Sequence, residues 1–161
     1  MDRRALLAAI ATLDTDFNPS AGPASRPGPR NPNRVRPTAP PAGELSIVFL
    51  TDQALAQLHA QFLADPSTTD VITFEGDPTL GVAGEICVSV DTAVAYAKTN
   101  RRDFSRELLL YVVHGWLHLA GYDDLQPALK RVMRRAEKRA LALLAKTNLP
   151  EIFSLKDPAA R

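Results

Sequence analysis

A chain of 161 residues has the length of one domain of ordinary size and can bury a single real core. Its 45% hydrophobic and 23% charged residues are typical of a soluble globular protein, no apolar run approaches a bilayer span, and no apolar leader follows the first arginines. The one cysteine, Cys87, excludes an internal disulfide and fits a reducing, cytoplasmic setting, while the net charge of +1 conceals blocks of +3 (residues 1–43), −7 (44–100) and +5 (101–161), the last suited to a polyanion.

In chain order, residues 2–14 predict a helix, with Leu6, Ile10 and Leu13 at i, i+4 and i+7. Residues 18–43 hold eight of the thirteen prolines, four arginines and almost no large apolar side chain. Such a segment cannot offset its ordering entropy by burial, and it reads as a flexible insert. Residues 44–50 are strand-like. Asp52 is placed to cap a helix to about residue 64, with Leu55, Leu58 and Phe62 on one face. Residues 69–74 form a second strand, 76–84 a turn region, and 85–90 a third strand. Asp91 then caps a helix to about residue 101. Asp103 starts a long helix through residue 120, apolar at Phe104, Leu108, Leu109, Val112, Val113, Trp116 and Leu117. A last helix covers 126–145, and the tail after Asn148 reads as loosely held. The expected organisation is an N-terminal helix (1–17), the insert (18–43), a catalytic domain (44–148) and a tail (149–161). The expected fold is α+β: a small mixed sheet of three or four strands covered by helices, with a central helix that bears a metal.

That helix ends in His114-Gly115-Trp116-Leu117-His118-Leu119-Ala120-Gly121-Tyr122-Asp123-Asp124. Residues four apart share a helical face, so both imidazoles can reach one ion. Gly121 can end the helix in a left-handed turn that returns Asp124 to the same point. Two nitrogens and an oxygen with a fourth position open make the donor set of a catalytic zinc site, although other first-row metals accept it. The plainer alternative is two core histidines and a surface carboxylate. An aspartate ligand adds negative charge, which favours binding a dication but lowers its acidity toward water.

The last helix carries Lys130, Arg131, Arg134, Arg135, Lys138 and Arg139 against Glu137 alone, opposite a stripe of Leu129, Val132, Met133, Ala136, Ala140, Leu143 and Leu144. The default is a solvated face, and the alternative is contact with an RNA backbone. Arg101 and Arg102 suit the negative end of a helix dipole. Asp70 and Glu85 open strands and read as structural. His59 reads as a half-buried surface histidine, Trp116 as core, and Tyr122 as packing for the turn. Asp123 either orients a ligand or satisfies turn amides.

The ligand spacing resembles that of metzincin peptidases, but Gly115 stands where that family has its glutamate base, and glycine cannot move a proton. A closer resemblance is to the YbeY family of metal-dependent endoribonucleases, the bacterial ribosomal RNA maturation factors. Their signature His-Gly-x-Leu-His-Leu-x-Gly-Tyr-Asp-His is matched from His114 onward except at Asp124, which replaces a histidine. The family's Thr-Asp-Val-Leu-Ser-Phe segment corresponds to Thr69-Asp70-Val71-Ile72-Thr73-Phe74, followed by Gly84-Glu85-Ile86. The resemblance covers about residues 44–145. It implies zinc-assisted hydrolysis of single-stranded RNA, with His114, His118 and Asp124 as ligands and ribosomal RNA or ribosomal particles as partners. It implies no organic cofactor and no membrane. Two departures stand out. Leu63 occupies the place of an arginine linked to cleavage, with His59 where an asparagine often stands, and leucine cannot neutralise a phosphate. The family's N-terminal strand is not evident. The resemblance therefore also admits a ribosome-assembly binding protein whose chemistry has decayed, and it assigns no proton acceptor.

Overall fold

The computed structural model describes residues 1–19, 40, 42–63, 67 and 69–155. The expected insert therefore lies largely outside the described residues. The elements run α1 (Arg3–Asp16), β1 (Glu44–Leu50), α2 (Asp52–Leu63), β2 (Val71–Glu75), β3 (Val82–Ser89), α3 (Val90–Asn100), α4 (Phe104–Leu119) and α5 (Pro127–Leu144). The sheet has three strands in the order β1-β3-β2, with β1 parallel and β2 antiparallel to β3. The α+β class and the mixed sheet match expectation.

Strand alternation gives the sheet two unlike faces. Ile86 and Val88, with Leu45, Ile47, Phe49 and Val71 beside them, turn toward the larger core that contains α4. Ile72 and Cys87 turn the other way and meet Leu55 and Leu58 of α2. Helix α4 lies close on the first face because Gly115 has no side chain. A Cβ there would stand 2.5 Å from Ile86 Cγ2 and 3.1 Å from Val71 Cγ2. Ala5, Leu6, Ala9 and Leu13 of α1 join the same core, and Ile10 sits at its margin. Trp116 is fully buried, donates from Nε1 to Asp14 Oδ1 at 2.9 Å, and meets Phe17 edge-on.

Several boundaries differ from expectation for identifiable reasons. The two anticipated caps are exchanged. Thr51, not Asp52, caps α2 through Oγ1 to the Ala54 N–H, and Asp91 Oδ2 accepts the Asp52 N–H at 3.0 Å. Ser89, not Asp91, caps α3. Asp52 instead accepts hydrogen bonds from Ser89 Oγ and from Thr92 Oγ1 (2.6 Å), tying α2 to the end of β3. The turn region is shorter than expected: a 3₁₀ turn at Pro78–Leu80, after which Val82 already pairs with Glu44. The tail is not loose as far as Phe153. Ile152 and Phe153 are buried, the Ile152 carbonyl accepts from Asp2 N–H at 2.8 Å, and Phe153 meets Phe49 edge-on. Two buried apolar side chains outweighed the absence of helical periodicity there.

Candidate metal centre

The turn after α4 has two backbone bonds that define its shape. Tyr122 N–H reaches the Leu117 carbonyl at 3.0 Å and Gly121 N–H the His118 carbonyl at 2.9 Å, with Gly121 at φ 84°. This is a Schellman turn, in which glycine takes the left-handed position without steric cost. It reverses the chain and brings Asp124 back over the helix end. His114 Nε2 and His118 Nε2 stand 3.0 Å apart, with Asp124 Oδ2 3.9 Å from the first and Asp124 Oδ1 3.8 Å from the second. All three ligand atoms fall within 4.8 Å of one another, and each residue is half-buried.

The surroundings of the two rings fit an ion between them. His114 Nδ1 is 2.7 Å from Glu137 Oε1, and His118 Nδ1 is 3.1 Å from the Tyr122 carbonyl oxygen. Both partners are acceptors, so each Nδ1 carries its hydrogen and, when the ring is neutral, each Nε2 presents a lone pair. Two lone pairs facing each other at this distance repel; a proton on His114 Nε2, donated to His118, or a metal ion between the rings relieves the repulsion. Donors about 2.1 Å from a tetrahedral zinc would stand about 3.4 Å apart, a spacing that atoms already within 4.8 Å of one another reach by small side-chain shifts. Electrostatics separates the rings. Burial opposes charge on His114, but the hydrogen bond and negative charge of Glu137, with Asp70 and Asp124, raise its pKa overall. Burial and then the His114 charge lower that of His118.

Glu137 was not singled out by its chemistry in the sequence. Its signal was there as the lone acid in a basic helix, one turn after buried Met133. Asp123 has the plainer of its two roles and accepts the Leu125 N–H at 2.9 Å. His59 packs on α2 with Nδ1 at 2.9 Å from the Ser67 carbonyl. Leu63 closes α2.

A trough of about 530 Å³ opens from His114 and Asp124 along α4. It divides the six basic residues of α5. Lys130 and Arg134 line it together with His114, Asp124 and Glu137. Arg131, Arg135 and Lys138 are exposed on other faces of the helix. Arg139 serves the fold: it donates to the Asn18 carbonyl and the Tyr122 hydroxyl, and its guanidinium lies 4.8 Å from the Phe17 ring centre. At the other end of the trough, Glu107 is buried beside Tyr111, with Arg102 at 3.8 Å. Burial raises its pKa against the pull of Arg102.

Residues 33–145 match the family model described as Endoribonuclease YbeY. The Endoribonuclease YbeY of Parabacteroides distasonis is 34% identical over 102 residues, covering 63% of this chain and 72% of that protein. That of Chlamydia pneumoniae is 41% identical over 111 residues (64% and 70%), and that of Phocaeicola vulgatus is 35% identical over 106 residues (64% and 75%). The match takes in the strands, the histidine-bearing helix and its returning aspartate, and the chain belongs to the YbeY family.

Proposed function

We propose that this chain is a zinc-dependent endoribonuclease that hydrolyses single-stranded RNA, with ribosomal RNA and ribosomal particles as its partners in the cytoplasm. The observation that carries the reading is the convergence of His114, His118 and Asp124 at the head of a trough whose wall holds Lys130 and Arg134. The relatives' name supports RNA as the substrate. Two imidazoles and one carboxylate favour zinc over harder cations. When bound, the ion supplies polarisation of a phosphoryl oxygen and acidification of water. Glu137 and the Tyr122 carbonyl hold the two Nδ1 protons and so keep both Nε2 lone pairs aimed inward. Asp124 adds the negative charge that a dication requires. Lys130 and Arg134 attract the RNA backbone and offset the nearby carboxylates. They offer cationic charge that Leu63 cannot. The catalytic unit is residues 44–148 with the 1–17 helix packed onto it.

A peptidase of metzincin type has no support in the geometry. The position of its glutamate is Gly115, whose missing side chain faces Ile86 of the sheet and not the ligands. The decisive comparison is cleavage of single-stranded RNA and of casein by zinc-loaded wild type and by His114→Ala. The expected result is RNA cleavage that His114→Ala abolishes, with casein intact. Equal RNA cleavage by both proteins, or none by the loaded wild type, contradicts the proposal.

A further inference from the structure

The trough extends well past the metal ligands, and its walls differ in chemistry. Its floor is one face of α4, with Glu107, Tyr111 and His114 at i, i+4 and i+7. Glu107 therefore stands about 10 Å from His114 along the helix. On one side α5 presents Lys130 and Arg134, a helical turn apart. Asp70, just before β2, and Tyr96 of α3 also line it; Tyr96 is 41% exposed, with the Arg102 guanidinium 5.7 Å from its ring centre. A volume of about 530 Å³ is in the range of sites that hold small organic groups.

Glu107 is the unusual member. It is only 5% exposed yet borders the open trough. Its ionic neighbour Arg102 is 3.8 Å away and does not line the trough, and the Tyr111 hydroxyl donates to it, which leaves the carboxylate with acceptor capacity to spare. Asp70 lines the same trough. Two carboxylates beside an exposed tyrosine ring, facing a cationic wall, suit a ligand with a flat face, N–H donors and an anionic backbone.

Resting on the nuclease reading, we propose that the end of the trough away from the metal ligands is a nucleobase subsite. Tyr96 stacks the base of a nucleotide flanking the cleaved bond. Glu107 and Asp70 accept hydrogen bonds from its exocyclic amine, while Lys130 and Arg134 hold the backbone on the other wall. Carboxylates accept from amines such as cytosine N4, but uracil turns a carbonyl oxygen toward them and is disfavoured. The base edge read here is unavailable in a duplex, which ties the subsite to unpaired RNA.

The test is cleavage of a randomised single-stranded RNA by the zinc-loaded protein, with the new ends sequenced. Wild type is expected to deplete uridine about five-fold at one position flanking the cut, the worth of about one hydrogen bond. Glu107→Gln abolishes that depletion. Tyr96→Ala raises KM about ten-fold, the scale of one lost base stack, and Tyr96→Phe restores it. No depletion at any flanking position overturns the subsite, as does depletion that neither Glu107→Gln nor Tyr96→Ala alters. Absence of all cleavage contradicts the nuclease reading instead. The subsite is then judged by titration with cytidine and uridine monophosphates. Tighter cytidine binding, lost in Tyr96→Ala, supports it, and equal binding of the two overturns it.

Discussion

At the scale of single residues, the candidate site depends on groups outside its three candidate ligands. Glu137 fixes the His114 ring through a 2.7 Å hydrogen bond, so Glu137→Gln is expected to weaken zinc binding about 10- to 100-fold, read by competition with a chelating dye. Gly115 is needed for packing and not for chemistry. In Gly115→Ala the new methyl meets the branched side chains of Ile86, Val71 and Thr73, which cannot swing aside. The expected loss is about 1–3 kcal/mol in urea unfolding, despite alanine's better helix propensity. Cys87 is inert by environment. Burial, then the charge and hydrogen bond of Glu85, push its pKa up to about 12. The native protein at pH 8 should leave a thiol reagent unreacted until it is unfolded. The two histidines, the aspartate and the glycine turn were legible in the sequence because i, i+4 spacing and a left-handed glycine are local facts. Glu137 was not, because its partner lies 23 residues away and its meaning depends on how α5 packs against α4.

At the scale of elements, helix type and position followed from apolar periodicity, and the errors gathered at caps. Asp52 and Asp91 each looked like the cap of its own helix. In the fold Asp91 accepts from the start of α2, and Asp52 accepts from Ser89 and Thr92 at the start of α3. A cap chooses whichever N–H tertiary packing brings near, which local sequence does not encode. Those hydrogen bonds hold the Asp52 carboxyl below the ordinary carboxylate range. Its contribution is therefore present above the unfolded value, about pH 4, and fades as pH falls through the lower folded one. Asp52→Ala is expected to cost about 1 kcal/mol at pH 7. The gap from wild type should shrink as the pH drops below about 4 in thermal melts. Equal gaps at both pH values would contradict the tie. The tail is not legible in the sequence for a related reason: Ile152 and Phe153 carry no periodic pattern, and their burial depends on contacts with Asp2, Phe49 and Ser105.

At the scale of the whole molecule, the charge imbalance of the sequence turns into a division of labour on α5. Lys130 and Arg134 face the trough, Arg131, Arg135 and Lys138 face away, and Arg139 holds the end of α1 against Tyr122. Composition shows that the helix is basic, but only its rotation in the fold shows which charges line the trough. Replacing Lys130 and Arg134 together by alanine is expected to flatten the salt dependence of RNA binding, lowering the log–log slope by about 1.4. Replacing Arg131 and Arg135 should change it less. All of this presupposes an ion at the head of the trough. The most direct measurement is elemental analysis of the purified chain, wild type beside His118→Ala. The account predicts one zinc per wild-type chain and loss of that zinc in the variant. A wild type that stays metal-free after exposure to zinc, or a variant that keeps its full complement, would contradict it.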